Sequence, residues 1–176
     1  MDLTISPYLS VLNQINWQDV NNFNFPDLWV QQWLSEQGSL SELMKKYCQT
    51  LSVTLLKNEW FEALHMAGDE QLLLQNPERC LLRQVVLSGD DSSWVIGHTL
   101  IPEVTFQNAS CDFSTLEEKP IGELVFRMSD VFRDELKVAQ VSLMNEIFWA
   151  RRSRLWVNGY PLLVTELFLP DSPVYR

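Results

Sequence analysis

The chain is poor in the residues that build metal centres and disulfide frameworks. Its 176 residues include three cysteines and two histidines. Cys48, Cys80 and Cys111 are an odd number at wide spacing, and no CxxC pair occurs. Zinc sites and disulfide scaffolds need closely spaced or paired cysteines. The sequence therefore predicts neither a metal site nor a disulfide-stabilised fold.

Basic residues and long apolar runs are also scarce. Thirteen Lys and Arg stand against 23 Asp and Glu, which gives a net charge of −10. A protein this acidic repels a phosphate backbone, so we expect no nucleic-acid partner. The apolar runs are much shorter than the roughly 20 residues of a membrane helix, and the N-terminus lacks a secretory signal pattern. We expect a cytoplasmic protein without stable membrane insertion.

Familiar catalytic motifs are absent, but material for a packed core is abundant. The chain has no Gly-rich phosphate loop, GxSxG elbow or HExxH helix. Hydrophobic residues make up 46% of it and charged residues 20%, with seven Trp and nine Phe. This composition is typical of a globular protein, and the length suits one domain.

The hydrophobic pattern favours an antiparallel sheet. Alternating or apolar runs flank two short turns, one at Gly89-Asp90 and one at Asn158-Gly159, which is a strong hairpin signal. Residues 50–57 add another strand, whereas the apolar spacing in residues 129–149 predicts mostly helix. Strand runs are predicted at 81–87, 94–101, 151–157 and 162–169. We expect a single-domain α+β fold with helices on one face of the sheet.

The N-terminal part has a different character. Residues 1–30 are rich in Asn, Gln and aromatic residues, and we interpret them as a short helix and a packed irregular arm. Asp27 is predicted to cap a following helix that Gly38 ends in a left-handed conformation. Ser39 and Glu42 have the spacing of a capping box that begins the next helix.

Two charged residues interrupt otherwise apolar strands. Arg83 shares a strand face with Val85, and Glu166 shares one with Phe168. Because buried charges are costly unless they are paired, each needs a partner or a ligand. Arg83 could bind a carboxylate through its planar guanidinium. A structural ion pair between Arg83 and Glu166 is the alternative.

A basic cluster lies at residues 151–154. Strand alternation sends Arg152 and Arg154 to one face and Arg151 to the other, so the cluster cannot serve one site as a whole. It is either a solvated surface or a source of one arginine that attracts an anionic ligand. His98 is predicted to be a packed strand residue rather than a catalytic base.

Several ordered blocks resemble the bacterial chorismate lyase family, whose members release pyruvate from chorismate to give 4-hydroxybenzoate for ubiquinone biosynthesis. The resemblance covers about residues 30–173 and is carried by the order of the blocks. They are Gly38-Ser39-Leu40, Ser52–Thr54, Leu82–Leu87, Trp94 with Thr99–Pro102, Pro120–Gly122 with Phe126, Trp149–Arg154 and Pro161–Pro170.

The resemblance implies a fold and a mode of action. Residues 31–176 would form a chorismate lyase-like domain, in which helical flaps cover an internal ligand cavity. Loss of the enolpyruvyl ether makes the ring aromatic, so the reaction needs no cofactor. The partners would be the small-molecule substrate and products, and we expect a monomer.

The resemblance also implies residue roles. Arg83 would bind the ring carboxylate, and Glu166 would face the ring hydroxyl, either orienting it or acting as an acid or base. Both are the candidate catalytic residues. Leu40 and Ile121 would be apolar cavity residues, and the backbone at Gly122 would meet the ligand carboxylate.

Three positions depart from the family pattern. Gln84 replaces a frequent glutamate, and His98 and Glu123 replace frequent arginines, which predicts less positive charge near the site. Two other functions stay open. A non-catalytic sensor-like module would bind a small aromatic acid without consuming chorismate, and an interaction protein would associate through residues 1–30.

Overall fold

Antiparallel hairpins build a seven-stranded sheet within residues 5–176, the part of the chain that the computed structural model describes. All neighbouring strands are antiparallel, in the order β1-β5-β6-β7-β4-β3-β2. The strands are β1 (Gln18–Asp19), β2 (Leu51–Glu62), β3 (Arg79–Gly89), β4 (Ser92–Pro102), β5 (Val131–Leu143), β6 (Glu146–Val157) and β7 (Tyr160–Phe168).

Short helices connect and cover the strands. Asp27 caps the second of them by accepting a hydrogen bond from the Val30 amide at 2.8 Å, as predicted. No helix among residues 5–176 has the length and hydropathy needed to cross a bilayer. The helices are α1 (Ser6–Val11), α2 (Leu28–Leu34), α3 (Leu40–Met44), α4 (Gly68–Leu73), α5 (Glu103–Asn108) and α6 (Ile121–Val125).

The connection between α2 and α3 differs from the prediction. Helix α2 already ends at Leu34, with Ser35 as its C-cap, and Gly38 does not have a positive φ, so the predicted glycine cap is wrong. Ser39 does precede α3, but its hydroxyl forms no capping bond and instead lies 2.7 Å from the hydroxyl of Ser41. Both serines are buried, which turns their hydroxyls toward each other rather than toward the helix end.

The predicted helix in residues 129–149 is wrong, because this segment forms β5, a tight turn and the start of β6. Leu136 and Val138 lie on one face of β5, and Val141 and Leu143 lie on the other. Val138 packs in a cluster on one face of the sheet, and Val141 packs in a cluster on the other. Because β5 is buried on both faces, the spacing of its apolar residues resembles that of a helix.

Apolar clusters cover both faces of the sheet. On one face Trp33 of α2 packs with Val85, and Val125 of α6 packs with Val164. On the other, Tyr8 of α1 packs against strand residues of the sheet centre, and Leu74 beyond α4 does the same near β7. The single-domain α+β fold with an antiparallel sheet is confirmed. The expectation of helices on one face is corrected, because α1 and the α4 region cover the second.

Residues 5–30 are joined to the rest of the fold. Tyr8 is 3% exposed, and β1 pairs with the outer edge of β5, with Gln18 opposite Val138. Residues 1–4 of the predicted arm lie outside the described residues. A division of the chain at residue 30 stays a prediction.

Candidate active site

A cavity lies between one face of the sheet and the short helices α3 and α6. We call this face of the sheet the cavity face and the other the opposite face. The space among the lining atoms is about 580 Å³, including its opening to solvent. The strand residues that line it are Arg83, Val85, Leu87, Gly97, Thr99, Arg133, Arg151, Ser153, Leu155, Val164 and Glu166.

The five residues to which the family resemblance gave a role in the site all line this one cavity. Arg83 and Glu166 approach it from β3 and β7, and Leu40, Ile121 and Gly122 cover it from α3 and α6. Their convergence follows from topology, because β4 lies between β3 and β7 in the sheet. The structure thus brings the candidate residues together.

Arg83 is buried without a carboxylate partner among the described residues. It is 3% exposed, and its Nη2 group donates to the carbonyls of Glu117 and Lys119 at 3.0 and 2.7 Å. Its Nε–H and Nη1 donors have no protein acceptor in the described part of the chain. Burial lowers the pKa of Arg83 to about 10, so the guanidinium remains charged at neutral pH.

Glu166 forms its ion pair with Arg151, not with Arg83. The Arg151 Nε donates to the Glu166 carboxylate, and its Nη1 donates to the Glu36 carbonyl at 3.0 Å. The two residues are cross-strand neighbours of β6 and β7, and Arg151 is 1% exposed. The alternative of a structural Arg83–Glu166 pair is therefore wrong. Arg151 lines the cavity, as expected if one arginine of the basic cluster attracts an anionic ligand.

Arg133 also lines the cavity, and the sequence analysis missed it. Its Nε donates to the Ser153 hydroxyl at 3.0 Å, and its Nη groups donate to the carbonyls of residues 36–38, which lead into α3. Assigning residues 129–149 to a helix concealed it. Arginine next to the β-type sequence Val131-Phe132 was the signal that could have revealed a strand and a cavity arginine.

Gly122 lets α6 approach α3 closely. A Cβ atom at this position would overlap the Ser39 hydroxyl oxygen and lie 3.2 Å from the Ser39 Cβ. The backbone φ at Gly122 is not positive, so the requirement is space rather than conformation. The two helices that cover the cavity therefore pack against each other at this glycine.

Gln84 and His98 lie on the opposite face of the sheet. The Gln84 amide nitrogen is 3.0 Å from His98 Nδ1, and the two residues face each other across β3 and β4. Burial, with a smaller effect of Lys57, lowers the pKa of His98 to about 4, so the ring is neutral at pH 7. The expectation that these departures reduce positive charge in the site is wrong. The expectation of a packed His98 agrees with its 9% exposure.

The remaining charged candidates are paired away from the cavity lining. Glu123 on α6 forms an ion pair with Lys45 at 2.6 Å. Arg152 pairs with Asp69 at 2.7 Å, and Arg154 pairs with Asp134 at 2.7 Å. Arg152 is 5% exposed. The interpretation of this cluster as a solvated surface is therefore wrong for Arg151 and Arg152.

The fold and the cavity together define a small-molecule-binding α+β protein. Its cavity carries an excess of positive charge, although the chain as a whole is acidic. The model of the family described as "Chorismate lyase" matches residues 11–176. The chain is 45% identical over 175 residues to a probable chorismate pyruvate-lyase of Vibrio parahaemolyticus, covering 99% of this chain and 97% of that one. A Vibrio cholerae protein of the same description is 46% identical, with the same coverage. The chain belongs to the chorismate lyase family.

Solved structures of lower similarity share the fold. The ligand-binding domain of a GntR-family transcriptional regulator from Bordetella bronchiseptica matches with a TM-score of 0.51 at 16% identity, covering 70% of this chain and 86% of that domain. PhnF from Mycobacterium smegmatis matches with a TM-score of 0.52 at 12% identity, covering 78% and 66%. At these identities the likeness concerns the fold alone.

Proposed function

We propose that the protein is a chorismate pyruvate-lyase that converts chorismate into 4-hydroxybenzoate and pyruvate. Family membership over residues 11–176 supports this reaction. The single observation that carries the proposal is Arg83, a buried guanidinium at the cavity wall with three N–H donors free of protein acceptors among the described residues. Such a group is stabilised by a ligand carboxylate.

The positions of Arg83 and Glu166 suit the two ends of the ring. In 4-hydroxybenzoate the carboxylate and the hydroxyl are para to each other. Arg83 on β3 and Glu166 on β7 are separated by two strand spacings, roughly 10 Å across the sheet, with β4 between them. Arg83 would bind the ring carboxylate, and Glu166 would orient the ring hydroxyl.

The reaction breaks two bonds and makes the ring aromatic. The bond between the ring carbon and the oxygen of the enolpyruvyl ether breaks, and the hydrogen on the neighbouring hydroxyl-bearing ring carbon leaves. This hydrogen passes either to a base or directly to the vinyl carbon of the departing group, which then becomes the methyl group of pyruvate. The direct route requires a held conformation and stabilised charge, so the cavity supplies orientation and electrostatics rather than a cofactor.

The covering helices would act as flaps. Leu40 of α3 is 4% exposed, and Ile121 and Gly122 of α6 lie beside it over the cavity. Entry of a ring with two carboxylates then requires α3 or α6 to move. We further propose that the enzyme acts as a cytoplasmic monomer on small molecules alone and that its product serves ubiquinone biosynthesis.

The test is incubation of the purified protein with chorismate, without added metal, while both products are followed by chromatography. Equal amounts of 4-hydroxybenzoate and pyruvate, formed faster than in spontaneous decay, are expected. Arg83→Ala removes the carboxylate partner and should lower kcat/KM by about 30- to 5,000-fold, equivalent to about 2–5 kcal/mol. Arg154→Ala, in which the lost arginine pairs with Asp134 outside the cavity, is the control.

Two results would contradict the proposal. Near-native turnover in a folded Arg83→Ala protein would remove Arg83 from the site. Tight binding of 4-hydroxybenzoate without any turnover of chorismate would identify a non-catalytic binding module instead.

A further inference from the structure

The charged side chains of the cavity do not cancel. Arg83, Arg133, Arg151 and Glu166 line it, which gives a formal charge of +2 in a chain whose net charge is −10. Glu166 pairs with Arg151. Arg83 and Arg133 have no ion pair among the described residues, so two guanidinium groups at the cavity lack a counter-charge.

The polar partners of Arg133 are neutral. They are the Ser153 hydroxyl at 3.0 Å and backbone carbonyls, including that of Glu36 at 3.2 Å. The Glu36 carboxylate lies on the same loop, but it forms no ion pair with Arg133 and accepts a hydrogen bond from the Gly38 amide at 2.6 Å. These contacts satisfy hydrogen-bond donors without cancelling the charge of the guanidinium.

The surroundings disfavour this charge in the absence of a ligand. Burial, and then the neighbouring Arg151, lower the pKa of Arg133 to about 10, while the carboxylates of Glu166 and Glu36 partly oppose that effect. Neutral carbonyls satisfy hydrogen-bond donors but do not offset the cost of burying a charge. A positive charge at this position is therefore explained by an anion that binds beside it.

We propose that Arg133 binds the second carboxylate of a dianionic substrate, the one carried by the enolpyruvyl ether, while Arg83 binds the ring carboxylate. This inference rests on the proposed function, because chorismate has two carboxylates and 4-hydroxybenzoate has one. Each uncompensated guanidinium then receives one carboxylate. After the reaction, 4-hydroxybenzoate is held through Arg83 and no longer through Arg133.

Equilibrium binding separates these two arginines without requiring turnover. The probes are 4-hydroxybenzoate and an unreactive dicarboxylate, 3-(1-carboxyvinyloxy)benzoate, titrated calorimetrically into the wild type, Arg133→Met and Arg83→Met. Arg133→Met should weaken the dicarboxylate by about thirtyfold or more and 4-hydroxybenzoate by less than about threefold. Arg83→Met should weaken both ligands.

Arg154→Met is the matched control, because this arginine lies one residue from the cavity residue Ser153 and pairs with Asp134 instead. Equal weakening of both ligands by Arg133→Met would mean that Arg133 only positions the loop before α3, and unchanged dicarboxylate binding would exclude contact. Either result overturns the inference. If Arg133→Met does not fold, Arg133→Lys should still weaken the dicarboxylate selectively, and equal effects overturn the inference. An inactive wild type refutes the proposed function separately.

Discussion

The two faces of the central sheet differ in how their charged side chains are paired, although the residues of the two faces alternate along the same strands. On the opposite face, Gln84 contacts His98 and Arg152 pairs with Asp69. On the cavity face, Arg83 donates to neutral carbonyls alone among the described residues. The buried arginine of the opposite face is therefore paired with a carboxylate, whereas the cavity face keeps a surplus of positive charge.

Ion pairing, rather than residue type, distinguishes Arg152 from Arg83, the proposed ligand-binding residue. Arg83 and Arg152 are both buried arginines, at 3% and 5% exposure. Arg152 has a carboxylate partner and stacks over the ring of Trp17. Among the described residues, Arg83 has neither a carboxylate nor an aromatic partner. A bound anion would therefore supply its counter-charge.

The largest effect is expected from removing Glu166, the one acidic side chain among the described residues that line the cavity. Glu166→Gln leaves Arg151, which is 1% exposed, without a counter-charge. The free energy of unfolding should fall by about 3–5 kcal/mol, because an unpaired buried charge remains. Urea denaturation at pH 7 measures this loss, and turnover should fall as the proposed contact with the ring hydroxyl is weakened.

The corresponding pair on the opposite face gives the comparison. Asp69→Asn removes the partner of Arg152, but the Asp69 side chain is 55% exposed and water can replace it. Its cost should stay below about 1 kcal/mol. Equal losses in Glu166→Gln and Asp69→Asn would show that the two faces do not differ in this way.

A smaller effect is expected where α6 meets α3. Gly122→Ala places a methyl group against the Ser39 side chain and should lower the free energy of unfolding by about 1–3 kcal/mol. Denaturation measures this cost, and faster release of 4-hydroxybenzoate should accompany it as the helices separate. Gly68→Ala in α4 is the control, since no atom lies within 4 Å of the added methyl group. A stable Gly122→Ala protein would contradict the close packing.

Strand alternation made much of this architecture predictable. The turns at Gly89-Asp90 and Asn158-Gly159 located both hairpins, and the apolar neighbours of Arg83 indicated that its side chain is buried. Alternation also separated Arg151 from Arg152 correctly. Applied to Gln84, which follows Arg83 directly, the same rule would have placed that residue outside the cavity.

Features that depend on packing between distant segments were not predictable in the same way. Strand β5 is buried by different clusters on its two faces, so its apolar residues do not alternate regularly. Without that strand, Arg133 could not be placed in the cavity. The partner of Glu166 was also missed, but here the sequence carried the signal, because the two-residue turn at Asn158-Gly159 sets the register that places Arg151 opposite Glu166.

A pH-dependent effect is expected from the neutral pair of Gln84 and His98 on the opposite face. The pKa of His98 is lowered to about 4, against about 6.5 in an unfolded chain, so the unfolded state binds more protons between these values. Stability from the neutral ring is present above pH 6.5 and is lost as the pH falls toward 4. Between pH 7 and 5.5 the wild type should lose about 1 kcal/mol more than His98→Gln.

Urea denaturation of both proteins across this pH range measures the difference. Glu70 lines a pocket on the opposite face together with His98. Burial and then Asp69 raise the pKa of Glu70, so its effect on the pH dependence of stability is opposite to that of His98. Because Glu70 and Lys57 are present in both proteins, their effects largely cancel in the comparison. Parallel pH profiles would mean that His98 is not buried in its neutral form, whereas a diverging profile with unchanged turnover at pH 7 would place His98 in the structure and outside the chemistry.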